Sequence, residues 1–217
     1  MARLGGLLLA GMLLAGCGLF RDPLPPPAPL ELGLPESALR HPKTVAWADR
    51  FCEKLARHSA TSLGLAPERP LGPTLEGLLA QEGIPRALVA VPAIESRYQT
   101  HARGTSGELG LWQLMPKTAR RFGLRVGPPT DERALVAPST RAAARYLAFL
   151  YARYEDWPLA LAAYNAGEGR IDKALARRPG ATFWELAAGH GLPPTSRDYV
   201  PKILAVVRLH AGVDACG

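Results

Sequence analysis

Residues 84–96 read IPRALVAVPAIES, and the rest of the chain is understood outward from them. Pro85 suits a first helical position, and the apolar run after it places Leu88, Val91 and Glu95 on one face of a helix. Glu95 is the only ionisable group on that stripe. Taken alone, the segment leaves two readings open. The carboxylate either points into water from a helix C-terminus or is buried, and burial disfavours its charged form. That would raise its pKa toward the value a general acid needs near neutral pH.

Helical punctuation continues on both sides. Residues 45–60 carry Trp47, Phe51 and Leu55 at helical spacing, which predicts a core face rather than a ligand face. Residues 75–81 form a helix that Gly83 closes, and Pro116 opens a short one (KTARRF) that Gly123 can end. Ser139 is expected to cap a longer helix with Tyr146, Leu147, Leu150 and Tyr154 inward. Pro158 begins another that ends at Tyr164 and Asn165. Thr182 and Glu185 make a capping-box pattern, and Ser196 is expected to start a last helix reaching Gly212. There are no repeats and no convincing alternating strand. The expected architecture is a single mainly α domain with little or no strand, its cleft bounded by loops at 103–110 and 167–170.

The 217 residues suffice for one domain with a proper core, and 47% hydrophobic content excludes a disordered chain. The N-terminus is set apart. Arg3 gives a short positive region, residues 4–14 are apolar but well short of the ~20 residues that span a bilayer, and Leu14-Ala15-Gly16-Cys17 offers a small-residue cleavage site. This resembles a bacterial lipoprotein signal, which implies acylation of Cys17. The expected division is 1–16 signal peptide, 17–40 lipidated Cys17 and Pro-rich tether, and 41–217 catalytic domain. Within the tether, PLPPPAP at 23–29 is a stiff spacer suited to holding a domain off a membrane. Gly18 rather than Asp after the cysteine points to the outer membrane, facing the periplasm. An ordinary secretory signal with an incidental cysteine is the alternative.

Export permits disulfides, and Cys52 and Cys216 remain after Cys17 is acylated. They lie at opposite ends of the domain, so either a bridge or two free thiols is consistent with the sequence. The net charge of +7 favours anionic partners such as wall carboxylates or lipid headgroups, although a solvated basic surface explains it as well. No Lys/Arg stripe interleaved with aromatics suggests nucleic acid.

Four blocks occur in order: Ile94-Glu95-Ser96; GLWQLMP at 110–116 followed by Thr118-Ala119; AYNAG at 163–167; and Asp198-Tyr199-Val200-Pro201-Lys202. With them the chain resembles the lytic transglycosylase catalytic domain of the soluble-lytic-transglycosylase type. Trp112 and the Tyr199 block place it nearest the membrane-bound lytic transglycosylase D branch. The resemblance implies a lysozyme-like fold of the α+β superfamily. It also implies cleavage of the β-1,4 bond between N-acetylmuramic acid and N-acetylglucosamine in peptidoglycan, leaving 1,6-anhydro-muramyl ends. Carried over, Glu95 is the sole acid and base, Ser96 supports substrate or Glu95, and Gln113 hydrogen-bonds the sugar near the scissile bond. Tyr164 and Asn165 line the cleft, and Tyr199 hydrogen-bonds Glu95. Trp112 and Met115 read as packing. That branch often carries C-terminal glycan-binding repeats, and this chain stops at Gly217 without them; wall affinity is then expected from the cleft and the tether. The resemblance implies a monomer in the cell envelope with peptidoglycan strands as partner.

Glu108, Asp131, Glu132, Asp156 and Glu168 fall in polar or turn contexts and read as solvated or capping. Hydrolytic glycosidases generally pair two carboxylates, about 5 Å apart when retaining and about 6.5–9.5 Å apart when inverting. Only Glu95 is credible here, which argues for a non-hydrolytic reaction. No metal or cofactor is implied: the five His lack zinc-site spacing and the cysteines are far apart. The rivals are a hydrolytic muramidase of similar fold and a non-catalytic wall-binding lipoprotein.

Overall fold

In the computed structural model, residues 33–68, 71–189, 191–213 and 216 are described. Cys17, the expected signal peptide and the Pro-rich spacer lie outside them. Among the described residues ten α-helices follow one another: α1 (Glu36–Leu39), α2 (Pro42–Leu55), α3 (Leu71–Gln81), α4 (Val91–Glu95), α5 (Pro116–Arg121), α6 (Val136–Tyr154), α7 (Trp157–Ala166), α8 (Glu168–Arg177), α9 (Phe183–Ala188) and α10 (Pro194–His210). Two 3-10 turns, Arg86–Ala90 and Glu132–Ala134, complete the order. Among the described residues the only β structure is two isolated bridges, Arg103 to Leu109 and Leu109 to Leu114.

The core is built on two helices with apolar residues on nearly every side. Residues 157–163 of α7 are all buried, as expected of a helix enclosed by its neighbours. Tyr199, Val200, Ile203, Leu204, Val206 and Val207 of α10 are also buried, and α10 packs against α2, α4 and α7. α6 lies against α7 and α3. Leu34, Ala38 and Leu39 are in the same core. The packed body therefore includes residues that the expected boundary at 41 assigns to the tether. Cys52 on α2 is bonded to Cys216, with their Cα atoms 5.0 Å apart. The bridge spans 164 residues, and closing so long a loop is worth on the order of 5 kcal/mol in the chain-entropy picture.

Several elements differ from expectation for identifiable reasons. The Ile84–Ser96 helix is divided into the Arg86–Ala90 3-10 turn and α4. Pro92 cannot donate to the Leu88 carbonyl, so a continuous α-helix is interrupted there; as an early residue of α4 it needs no such bond. α6 starts at Val136, and Ser139 is inside its first turn, donating its hydroxyl to the Leu135 carbonyl at 2.6 Å rather than accepting as a cap. α10 likewise starts ahead of Ser196 and ends at His210. The loop expected at 167–170 is the start of α8; Gly167, at φ 83°, is the single residue that breaks α7 from it. The Thr182–Glu185 capping box is formed in both directions. Of the expected core face, Phe51 is buried, while Trp47 and Leu55 are part-buried and pack against the core from its edge.

Candidate active site

Glu95 is the last residue of α4, and the backbone just beyond it is strained. Arg97 and Tyr98 adopt φ of 52° and 61°, a left-handed pair that costs L-residues energy and is found where the surroundings over-determine it. Those surroundings are visible. The Tyr98 hydroxyl donates to the Val89 carbonyl at 3.1 Å, and Gly64 packs so closely on Arg97 that a Cβ there would overlap its side chain. Ser96 donates to the Leu111 carbonyl at 2.8 Å, fastening the end of α4 to the GLWQ segment. Its hydroxyl is thereby occupied and buried, so Ser96 holds the wall of the site together.

The GLWQ segment is folded tightly on itself. Gly110, at φ 85°, has no room for a side chain, because a Cβ would collide with the Arg133 carbonyl oxygen. Trp112 is fully buried, with its indole N–H on Thr140 Oγ1 at 2.9 Å. Met115 is 40% exposed and is not packing. Gln113 sits at φ 47° and its amide N–H groups donate to the Ala102 and Gly110 carbonyls at 3.0 and 2.8 Å. With its donors spent, the Gln113 carboxamide has its oxygen as the group to offer a ligand.

α7 and α10 supply the opposite side. The Tyr164 hydroxyl donates to the Trp112 carbonyl at 2.8 Å, and the exposed Asn165 accepts from Ser196 Oγ through its Oδ1 at 2.8 Å, leaving its amide N–H groups outward. The Tyr199 hydroxyl donates to Glu95 Oε1 at 2.5 Å. Burial raises the Glu95 pKa to about 7; the Tyr199 hydrogen bond works against that rise and the charge of Glu108 adds to it. Burial, and then the charge of Glu95, push both Tyr164 and Tyr199 well above the ordinary phenol value, so both are neutral donors. Glu95 is thus bonded to Tyr199 and acts by its charge on Tyr164, whose hydroxyl is fastened to the Trp112 carbonyl next to Gln113 in sequence, and Asn165 follows Tyr164 on α7 with its side chain held by Ser196.

The other carboxylates divide. Asp156 caps α7 by accepting from the Leu159 N–H at 2.7 Å, and Glu132 pairs with Arg125. Glu168, expected to be solvated or capping, opens α8, where its own backbone N–H supports it, and also accepts from Arg121 at 2.7 Å and from the Tyr146 hydroxyl at 3.2 Å. Asp131 pairs with Arg133, a residue sequence reasoning missed. Arg133 is 7% exposed and donates to the Gly107 and Leu114 carbonyls at 2.7 and 2.9 Å, so it ties the two ends of the 107–114 loop. Asp131-x-Arg133 was the available signal, but its partners are distant backbone groups. Glu108 is half-buried, accepts from the Ser106 N–H at 2.9 Å, and is near enough for its charge to act on Glu95. No cluster of three metal-ligating side chains occurs among the described residues.

Residues 76–187 match the family described as Transglycosylase SLT domain, half of the chain. The chain belongs to this family. It is 37% identical over 137 residues to the membrane-bound lytic murein transglycosylase D of Escherichia coli, a match covering 61% of this chain and 29% of that protein. The chain therefore spans less than a third of that relative's length. Among solved structures it resembles the lytic transglycosylase Slt of Pseudomonas aeruginosa, crystallised as an inactive mutant. There the TM-score is 0.55 at 27% identity, over 64% of this chain and 24% of that one. The 70 kDa soluble lytic transglycosylase of E. coli superposes over 81% of this chain and 30% of its own, with a TM-score of 0.58. At 23% identity that likeness speaks for the fold alone: the mostly helical, lysozyme-like architecture of the SLT family.

Proposed function

We propose that this SLT-family chain is a peptidoglycan lytic transglycosylase in which Glu95 is both acid and base. The observation that carries the proposal is Glu95 itself: a desolvated carboxyl with a pKa of about 7, held by one phenol donor and, among the described residues, faced by no cation that would keep it ionised. Such a group is protonated in a useful fraction at neutral pH. It can give its proton to the bridging oxygen between N-acetylmuramic acid and N-acetylglucosamine as the C1–O bond breaks and positive charge develops on the muramyl ring. The ionised Glu95 then takes the proton of the muramyl C6 hydroxyl as that oxygen bonds to C1. The result is a 1,6-anhydro ring, no water is consumed, and Glu95 ends protonated as it began. Tyr199, neutral throughout, steadies the ionised form between the two transfers. The Gln113 oxygen and the Asn165 amide are suited to hydroxyl and acetamido groups.

Glu108 gives a specific reason for a second reading. A carboxylate close enough to influence Glu95 could activate water, making the chain a hydrolytic muramidase. The product separates the two. Digestion of purified peptidoglycan should give glycan ends lighter by one water than reducing muramic acid, and reducing ends would promote Glu108 to second carboxylate. The Cys17 anchor in the outer membrane is part of the same proposal. Cys17→Ala should release the protein from the membrane fraction, and unchanged fractionation would remove the anchor from the account.

A further inference from the structure

A concave site lined by residues on either side of Glu95 in sequence takes no part in the chemistry above. It is a groove of about 390 Å³ whose walls include Trp47, Lys54, Ile94, Arg97 and Lys202, with Phe51 and Leu65 beneath. α2 brings Trp47, Arg50, Phe51 and Lys54 to one face by their spacing. The Lys202 ammonium sits 4.4 Å from the centre of the Trp47 ring, and the Arg50 guanidinium sits 4.8 Å from it.

Seven arginines pair with carboxylates, yet none of Arg50, Lys54, Arg97 and Lys202 joins an ion pair among the described residues. Asp49 and Glu53 are on the same helix and pair with none of the four. The charged residues lining the groove, Lys54, Arg97 and Lys202, are all cations and repel one another, while Asp49, Glu53 and Asp198, within a turn of them or of Arg50 on α2 and α10, temper that repulsion without forming an ion pair among the described residues. Stacking on an aromatic face offsets only part of that, so the arrangement favours an anion. Its place relative to Glu95 narrows which anion. Ile94 and Arg97 flank Glu95 in sequence, and Lys202 is one helical turn from Tyr199, a neighbour at roughly 5–6 Å between Cβ atoms. The glycan assigned to Glu95 carries a short acidic peptide on its muramyl lactyl group. A concave floor of Phe51 and Leu65 under a rim of cations suits a short chain ending in a carboxylate, whereas a flat membrane surface would meet only the rim.

We infer that the groove between α2, α4 and α10 binds a carboxylate of the peptide stem attached to the glycan strand. This rests on the peptidoglycan reading, but its test requires no bond to be cut. The peptide stem, released from purified wall by an amidase, is titrated into the intact protein by calorimetry. The same peptide with its carboxylates amidated and vesicles of phosphatidylglycerol form parallel arms. The native peptide should bind. Binding should weaken roughly tenfold in Lys54→Gln/Lys202→Gln, weaken as salt rises from 0.15 to 0.5 M as expected of about two partly exposed charge pairs, and vanish for the amidated peptide. Arg50→Gln/Lys54→Gln alters only exposed positions on α2, so it serves as a second variant if the first folds poorly. No peptide binding, or binding indifferent to both variants, overturns the inference. Vesicle binding lost in the variants without any change for the peptide overturns it in favour of a lipid surface. Peptide binding with no anhydro product would instead overturn the catalytic reading alone.

Discussion

Glu95 and Glu168 are each bonded to a tyrosine of the helical core, yet the protein treats them in opposite ways. At Glu168 burial works to raise the pKa, but its own backbone N–H, Arg121 and the Tyr146 hydroxyl outweigh it and the carboxyl is held below its usual range. At Glu95 burial meets only the Tyr199 hydroxyl, and a like charge at Glu108 adds to the rise. The positions of the two residues explain this. Glu168 opens α8, where unpaired N–H groups favour an anion, and Glu95 closes α4, where carbonyls do not. A phenol partner is common to both. Depth of burial comes first, since Glu95 is enclosed and Glu168 is partly exposed, and the cation and the helix end then add to the difference between the carboxylate that remains an anion and the one that becomes an acid.

The largest expected effect breaks the comparison outright. Glu95→Gln keeps the shape but cannot donate a proton, so turnover of peptidoglycan should fall by ~10²-fold or more, while Glu168→Gln should stay within about threefold. Comparable losses in both, measured by release of soluble muropeptides, would remove the distinction.

Stability should show the same contrast with the sign reversed. Because the folded pKa of Glu95 is about 7 against an ordinary value of 4.5, the folded protein holds that proton more tightly than the unfolded chain. Stability from this site is therefore present at pH 4 and lost as pH rises from about 4.5 through about 7, a penalty on the order of 3 kcal/mol above pH 8. Glu95→Gln should remove most of it, making the variant more stable than the parent in urea at pH 8 and nearly equal at pH 4. Equal stability at both pH values would contradict burial of the charged form. Glu168→Gln should instead lose about 1 kcal/mol at pH 8, since it gives up a partly exposed ion pair and a hydrogen bond to a charged group.

The partners of Glu95 sharpen the picture at smaller scale. Tyr199→Phe removes the bond that opposes burial, so the basic limb of the kcat/KM profile should move to higher pH while the rate falls by about tenfold through loss of support for the ionised form. Glu108→Gln removes the like charge, so the same limb should move to lower pH with less than about a threefold change in rate at its optimum if Glu108 takes no chemical step. A loss as large as that of Glu95→Gln would make Glu108 a reacting group.

Much of this was legible in the sequence, and the parts that were not share a cause. Helical punctuation and the absence of alternation carried the mostly α fold, and the Thr182–Glu185 box was readable because its two bonds join residues three apart. The four blocks single out Glu95, Gln113, Tyr164, Asn165 and Tyr199, and of these Tyr199 is bonded to Glu95 and Tyr164 lies within reach of its charge. What escaped depends on distant partners. The spacing of Trp47 with Phe51 and Leu55 marks a core face, and Trp47 does pack on the core, but its outer face is a platform for Arg50 and for Lys202, and the second of these comes from the far end of the chain. Of the two roles expected of Ser96, supporting substrate or Glu95, its bond to the distant Leu111 carbonyl favours the second, and that partner is what the sequence does not show. The capping half of the Glu168 reading fits its place at the start of α8, whereas its bonds to Arg121 and Tyr146 could not be read because neither is near it in sequence. The split of the Ile84–Ser96 helix was local and readable from Pro92, which an apolar count passes over.

The central claim is that the carboxyl of Glu95 is a proton donor at neutral pH because it is buried beside one phenol and no cation. Carbon-13 labelling of the glutamate carboxyls, with the Glu95 signal assigned by its disappearance in Glu95→Gln, follows that group directly across pH. A titration midpoint at about 7 is the predicted result, and a midpoint at the ordinary 4.5 would contradict the account.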